Sequence, residues 1–406
     1  MNLTKGRMTM KYLGLSEKDY NHLISASANE LIGISKSTIG LSDFGDNAWE
    51  KRFYNKIEDL DDAKLHPLAK FSAKIHALVS LNNRLLVTDR LKKEPKIADE
   101  TINQPILITG MPRTGTTLTH EILARDSKFR ALINSDAMFP TSEPFRYNNT
   151  TINSNEFSKK YFELNHELSP KNKAMHEIDW NLPTESKFAM TAAFPDFNFS
   201  NIDYHSWKKD ITDDFKYYYN WHKITLQILQ FGLPSKPWII SDARNLYFLD
   251  ILLQYYPDIK IIHLHRDPLK SIPSILNYYR ESHLAIRNTD EDLQKSVFGV
   301  IRQCESSLKS VIDSRVSGFI PEKQITDIHF DMLVTEPTKA IHDAYQNLNL
   351  DFPTNFGNEI KDYLFKKPRY KYGKYHYNMS DYGFSDSDIR DVFRFYTDYY
   401  DITLNI

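Results

Sequence analysis

Gly110 and Gly115 are separated by four residues in "ITGMPRTGTT", residues 108–117, with Arg113, Thr114, Thr116 and Thr117 around them. Glycines at this spacing let a backbone turn tightly, and the hydroxyls and one guanidinium supply donors for a tetrahedral oxyanion. The segment follows the apolar "PIL" and precedes "LTHEILARD", so the pattern predicts a strand, a turn and the start of a helix. Backbone N–H groups converge at such a helix start, and the positive end of the helix dipole favours an anion there. The chemistry indicated is phosphate binding. In the common form of such a loop the second glycine is followed by Lys and Ser or Thr, the lysine reaching the outer phosphates. Here Thr116 takes the lysine position.

A second stretch, "IKIIHLHRDPLKSIPSI" at 259–275, reads as a buried strand, then Arg266, Asp267 and Pro268, then a helix carrying Ser271 and Ser274. An arginine at a strand's carboxyl end, with a serine one or two turns into the next helix, can clamp another phosphate group. The same arginine also fits a pair with Asp267. In "WIISDARNL", Asp242 follows another short strand, a place that suits either the metal-holding acid of a phosphoryl transferase or a capping residue. Only part of the metal-and-triphosphate set is there, and no metal site is expected.

Together the two stretches resemble the sulfotransferases that use 3'-phosphoadenosine 5'-phosphosulfate (PAPS) and release adenosine 3',5'-bisphosphate (PAP). In that family a lysine-poor loop, Pro-Arg-Ser-Gly-Thr-Thr, binds the 5'-phosphosulfate. Here it reads Pro112, Arg113, Thr114, Gly115, Thr116, Thr117, and with no γ-phosphate to activate, neither lysine nor Mg²⁺ is required. The family's 3'-phosphate motif is matched by Arg266, Asp267, Pro268 and Ser274. The likeness is to a bacterial branch whose segments recur in order from about residue 105 to 384. "KAMHEIDWNLPTESKFAM" at 173–190 resembles its His and Pro-x-Glu segment, and "IHFDMLVTEPTKAIHDAYQNLNLDF" its late strand, turn and helix. The tail "KKPRYKYGKYHYNMSDYGF" resembles its closing segment; Lys371 and Lys374, with Tyr372, Tyr375 and Tyr377, would bring charge to the 3'-phosphate and ring faces to adenine. One departure is plain. The branch writes Trp-x-x-Lys-Ser-Pro on its second core strand, whereas Ser241 stands here in place of that lysine, leaving its electrostatic role to Arg244 or Arg113.

The resemblance implies in-line transfer of a sulfonyl group to an acceptor hydroxyl, with a base, charge stabilisation and alignment supplied by the protein. Arg113 and the loop would meet the developing charge. The first candidate base is Asp136, in "RALINSDAMFP", where the family carries an acid near the acceptor. His120, on the helix after the loop, is a second, and His176 with Glu185 offers an acid/base or acceptor-orienting pair. Trp221, Trp238 and an aromatic share of 13% suit either an apolar acceptor pocket or ordinary core.

These residues need a scaffold. Short Ile/Leu/Val runs at Ile106–Thr109, Trp238–Ile240, from Ile259 and from Ile325 alternate with helical patterns, which predicts an α/β fold. We expect three layers, a P-loop-NTPase-like parallel sheet flanked by helices. Residues 1–100 read as a helical N-terminal extension, with Leu68, Phe71, Ile75, Leu78 and Leu85 near one face, and 101–406 as the PAPS-dependent domain. A mobile insertion is expected around 140–235, its polar run "RYNNTTINSNEFSKK" at 146–160 forming a loop or lid.

Across 406 residues the formal net charge is −2, which gives no basic field for nucleic acid. A single cysteine, Cys304, excludes an intramolecular disulfide framework, and neither a signal peptide nor a long apolar run is visible. The expectation is a cytoplasmic enzyme, without stable membrane insertion, acting on a small and largely apolar alcohol or phenol. A Mg-ATP-dependent kinase and a non-catalytic nucleotide-binding protein on the same fold are the alternatives.

Overall fold

The computed structural model describes residues 13–148, 150–195, 211–286, 293–367 and 378–403. Strand β1 (Ile106–Gly110) is buried along its whole length, as its apolar Ile106–Ile108 run leads one to expect, and the Thr109 hydroxyl is satisfied by the Asp242 carbonyl. It lies at the centre of a five-stranded sheet, between β5 (Trp238–Ser241) and β6 (Lys260–His265). The outer strands are β2 (Arg130–Ala131), beside β5, and β7 (Ile325–His329), beside β6, and every pairing is parallel. The expected α/β sheet is therefore present; β2, only two residues long, has no periodicity for a sequence to show.

Alternate residues of the strands face opposite layers. Ile106, Ile108, Ile262 and Leu264 pack with Ile122, Ile341, Tyr345 and Phe356, which lie on α5 (Thr116–Leu123), α14 (Pro337–Asn347) and α15 (Phe356–Lys366). Leu107, Trp238 and Ile261 pack on the other side with residues of α9 (Ile211–Gln230) and α10 (Leu249–Tyr255). Trp221 and Trp238 both belong to this second layer, so they are core and not pocket lining. At one end α11 (Pro268–Ile286), α12 (Leu293–Val316) and α16 (Asp386–Tyr399) enclose a smaller apolar cluster that contains Cys304.

Before the sheet come α1 (Glu17–Ser25), α2 (Ala28–Ile39), α3 (Ala48–Asp62) and α4 (Pro67–Lys93). Leu68, Phe71, Ile75, Leu78 and Leu85 are all buried, as their spacing predicts. So are Lys74 and Arg84 on the same helix, and both are ion-paired: Lys74 Nζ donates to the Ala26 carbonyl at 2.8 Å and pairs with Asp61 at 2.9 Å. Arg84 donates to the Ala192 carbonyl at 2.9 Å, pairs with Asp46 at 2.7 Å and lies 4.3 Å above the Trp221 ring.

The polar run expected to be a loop is ordered structure. It forms a hairpin of β3 (Phe145–Tyr147) and β4 (Thr150–Ile152), and then α7 (Ser154–Leu168), after the short α6 (Asn134–Met138). Asn153 caps α7 through Asn155 N–H at 3.0 Å, and Phe157, Tyr161, Leu164 and Leu168 form its buried face. Those residues join one apolar cluster with Leu31, Phe53, Phe71 and Leu78, so the N-terminal helices and this insertion share a core. Among the described residues no helix is long and apolar enough to cross a membrane.

Candidate active site

In a parallel sheet all the carboxyl ends lie along one edge, and connections diverging from a central strand open a crevice there. The loop after β1, Asp242 after β5, Arg266 after β6 and Phe330 after β7 all belong to that edge. The loop is tightly constrained. A Cβ on Gly110 would meet the Leu264 carbonyl oxygen at 2.5 Å, and Gly115, at φ +100°, would place a Cβ 2.8 Å from Leu333 Cδ2. Thr114 is buried and its hydroxyl donates to the Met111 carbonyl at 2.7 Å, so this threonine holds the turn closed and is not presented outward. Thr116 and Thr117 open α5 half-exposed, and their hydroxyls make no hydrogen bond among the described residues.

Arg113 adopts φ +71°, a left-handed conformation unusual for a side-chain-bearing residue. From there its Nε donates to Ser274 Oγ at 3.1 Å and its Nη1 to the Met175 carbonyl at 2.9 Å. Arg266 Nη1 donates in turn to the Arg113 carbonyl at 2.7 Å, and its guanidinium lies 4.1 Å from the Phe330 ring centre. The two stretches singled out in the sequence are thus interlocked: the residues expected at the 5' end and those expected at the 3' end bond directly to one another.

Met175 ends α8 (Pro170–Met175), so Arg113 also ties the loop to His176. Burial pushes the His176 imidazole down to about 4, against the opposing charge of Glu185; Arg113, Lys187 and Lys367 add to the lowering. Burial likewise takes His120 to about 4, again opposed by Glu185, and its Nε2 has no hydrogen-bond partner among the described residues. Burial alone would raise Glu185, but Lys187, His176 and Arg244 hold it at about 2, with Lys187 as its ion-pair partner. Four of the expected residues therefore share one electrostatic neighbourhood: Arg113, His120, His176 and Glu185.

Asp136 lies on α6, whose segment is stitched to the chain entering Glu185. Thr184 N–H donates to the Leu132 carbonyl at 2.8 Å, and Asn134 accepts from the Thr184 hydroxyl at 2.5 Å. The Asp136 carboxyl makes no hydrogen bond or ion pair among the described residues, and burial raises its pKa. Asp242 proves to be a cap: its carboxylate accepts Arg244 N–H at 2.9 Å, Arg244 Nε at 3.2 Å and Lys187 N–H at 3.2 Å. Lys371, Lys374 and the three tyrosines of the tail lie outside the described residues.

Two site cations escaped the sequence reading. Lys187 stands two residues after Glu185, a spacing that could have flagged the pair. Lys367 bridges Glu121 of α5 at 2.8 Å and Glu177 at 2.9 Å, across separations no local pattern reveals.

The sequence model of the sulfotransferase family matches residues 105–354. The chain belongs to the sulfotransferase family. Among curated proteins it is similar to the omega-hydroxy-beta-dihydromenaquinone-9 sulfotransferases Stf3 of Mycobacterium bovis and Mycobacterium tuberculosis. Each is 23% identical over 307 residues, covering 71% of this chain and 73% of the relative. Among solved structures, sulfotransferase STF9 from Mycobacterium avium aligns at TM-score 0.73 and 19% identity, over 93% of this chain and 97% of that one. Sulfotransferase STF1 from Mycobacterium tuberculosis aligns at 0.68 and 20%, over 91% and 98%. These structures share the fold. In this sulfotransferase Ser241 is buried at the end of β5, and Arg244 pairs with the adjacent Asp242.

Proposed function

We propose that this sulfotransferase takes its sulfonyl group from PAPS and passes it to the hydroxyl of a small, largely apolar alcohol or phenol. The observation that carries the donor assignment is the interlock of the two loops, Arg113 on Ser274 and Arg266 on the Arg113 carbonyl. Contact between the two stretches supports the reading, since a nucleotide phosphorylated at both its 3' and 5' ends would need both of them together. The cradle fits such a ligand: glycines where a Cβ would collide, two open hydroxyls, and the N-terminal N–H groups of α5. Asp242 is occupied as a cap by Arg244 and Lys187, an arrangement that favours this reading over a Mg-ATP kinase. The acceptor class is supported by the name of the mycobacterial relatives, which marks them as acting on a hydroxylated menaquinone.

When bound, PAPS supplies the activated sulfonyl group and a bisphosphate leaving group. Thr116, Thr117, the loop N–H groups and Arg113 hold charge at the 5' end; Arg266 and Ser274, with Lys371 and Lys374 of the tail, take the 3'-phosphate. Asp136 removes the acceptor's proton, its raised pKa bringing it nearer the working range of a base. Glu185 and His176 orient the acceptor hydroxyl, and His120 stays neutral. Calorimetric titration with PAP, ADP and ATP, without added Mg²⁺, tests the reading. Tight Mg²⁺-independent preference for PAP is expected; preference for ATP with Mg²⁺ would return the protein to the kinases, and PAP binding without turnover on any apolar alcohol or phenol would leave a nucleotide-binding protein.

A further inference from the structure

Behind the phosphate clamp, β6, β7 and α16 enclose His263, His265, Asp327, Tyr396 and Tyr400. Ligand atoms of His263, His265 and Asp327 lie within 4.8 Å of one another, a set able to hold a metal ion. The Arg315 guanidinium, however, already meets the two Asp327 oxygens at 2.8 and 2.9 Å. A cation here would stand against that positive charge, and the hydrogen bonds of the cluster lead elsewhere.

Their direction follows from charge. Burial alone would raise Asp327, but His265, His263 and Arg315 hold it well below the usual carboxylate range, so it is ionised and only accepts. His265 Nε2, 2.8 Å from Asp327 Oδ1, therefore carries a proton. Burial lowers the His265 pKa and keeps the ring neutral, which leaves its Nδ1 as an acceptor. The Tyr396 hydroxyl, 3.2 Å away, donates to that nitrogen, and its lone pair accepts the backbone N–H of Arg266 at 3.3 Å. From Arg266 to Asp327 every bond points the same way.

The Arg266 N–H needs such a partner. The β6–β7 register ends at His265 opposite His329, so the next residue lies beyond the ladder and is met by a side chain 130 residues further on. We propose that Tyr396 is a positioning residue for the phosphate clamp: it fixes the Arg266 backbone, while His265 and Asp327 fix the direction of its hydroxyl. This rests on Arg266 binding the 3'-phosphate.

The test is calorimetric titration of PAP and ADP into the full chain and its variants, with melting temperatures measured alongside. The wild type should prefer PAP, and Arg266→Ala should lose most of that preference. Tyr396→Phe keeps the ring and removes both bonds; PAP affinity should fall about tenfold while ADP affinity holds. His265→Phe keeps a ring against Tyr400 but removes the acceptor for the hydroxyl, and should show a smaller loss of the same kind. It decides the question if Tyr396→Phe does not fold. Phe393→Leu, buried on the same helix, should lower the melting temperature and keep the preference for PAP. A wild type without that preference overturns the donor reading and this proposal together. A preference that survives in Tyr396→Phe, or PAP and ADP losses of equal size, overturns the positioning role alone.

Discussion

Two of the candidate site carboxyls are driven apart by their surroundings. Burial raises Asp136, which has no ion-pair partner among the described residues, whereas Lys187, His176 and Arg244 overcome burial and hold Glu185 at about 2. Environments that separate two titrating groups in this way tend to divide the acid/base roles between them. With Asp136 as base, kcat/KM should rise with pH through its raised pKa and then level off. Asp136→Asn should remove that limb and lower kcat about 10²- to 10⁴-fold, with donor affinity unchanged. Glu185→Gln should keep the limb and raise the KM of the acceptor. Loss of the limb in Glu185→Gln, but not in Asp136→Asn, would exchange the two roles.

At the level of elements, the loop is the part most fully written in the sequence. Gly110, Gly115 and the hydroxyls announce a turn between strand and helix, and at both glycines a Cβ would collide with its surroundings. Gly110→Ala would drive a Cβ into the Leu264 carbonyl and part β1 from β6; Gly115→Ala meets both a positive φ and Leu333. Each should cost about 1–3 kcal/mol in urea unfolding and abolish nucleotide binding, and wild-type PAP affinity in either variant would show that the loop does not form the cradle. Polar composition hid α7, because the polar run ends at Lys160 and leaves Phe157 on one side and Tyr161, Leu164 and Leu168 of the same buried face on the other. Thr114 reads as a ligand by its hydroxyl, yet spends it on its own turn. The partners of Lys367 and Arg266 depend on chain crossings that spacing cannot express.

Across the whole molecule, several imidazoles are held neutral by burial: His76, His120 and His176 at about 4, His222 at about 3, with His263 and His265 also lowered. The unfolded chain titrates them near the ordinary value of 6.5. Between these limits the unfolded state binds more protons, so their contribution to stability is complete above about pH 6.5 and declines as pH falls towards 4. Urea midpoints should therefore drop steeply across that window, and His222→Phe should flatten the slope. Unchanged midpoints from pH 7 to 5 would show that these rings are solvated in the folded protein.

Cys304 lies sealed among α11, α12 and α16, its thiol pushed up to about 12 by burial. A lone sulfhydryl so placed is a built-in clock. An alkylating reagent can mark it only while those helices part, and no second thiol competes for the label. Labelling rates with and without nucleotide would then report how firmly an occupied clamp keeps the C-terminal helix on the sheet, without a reporter group being engineered into the chain.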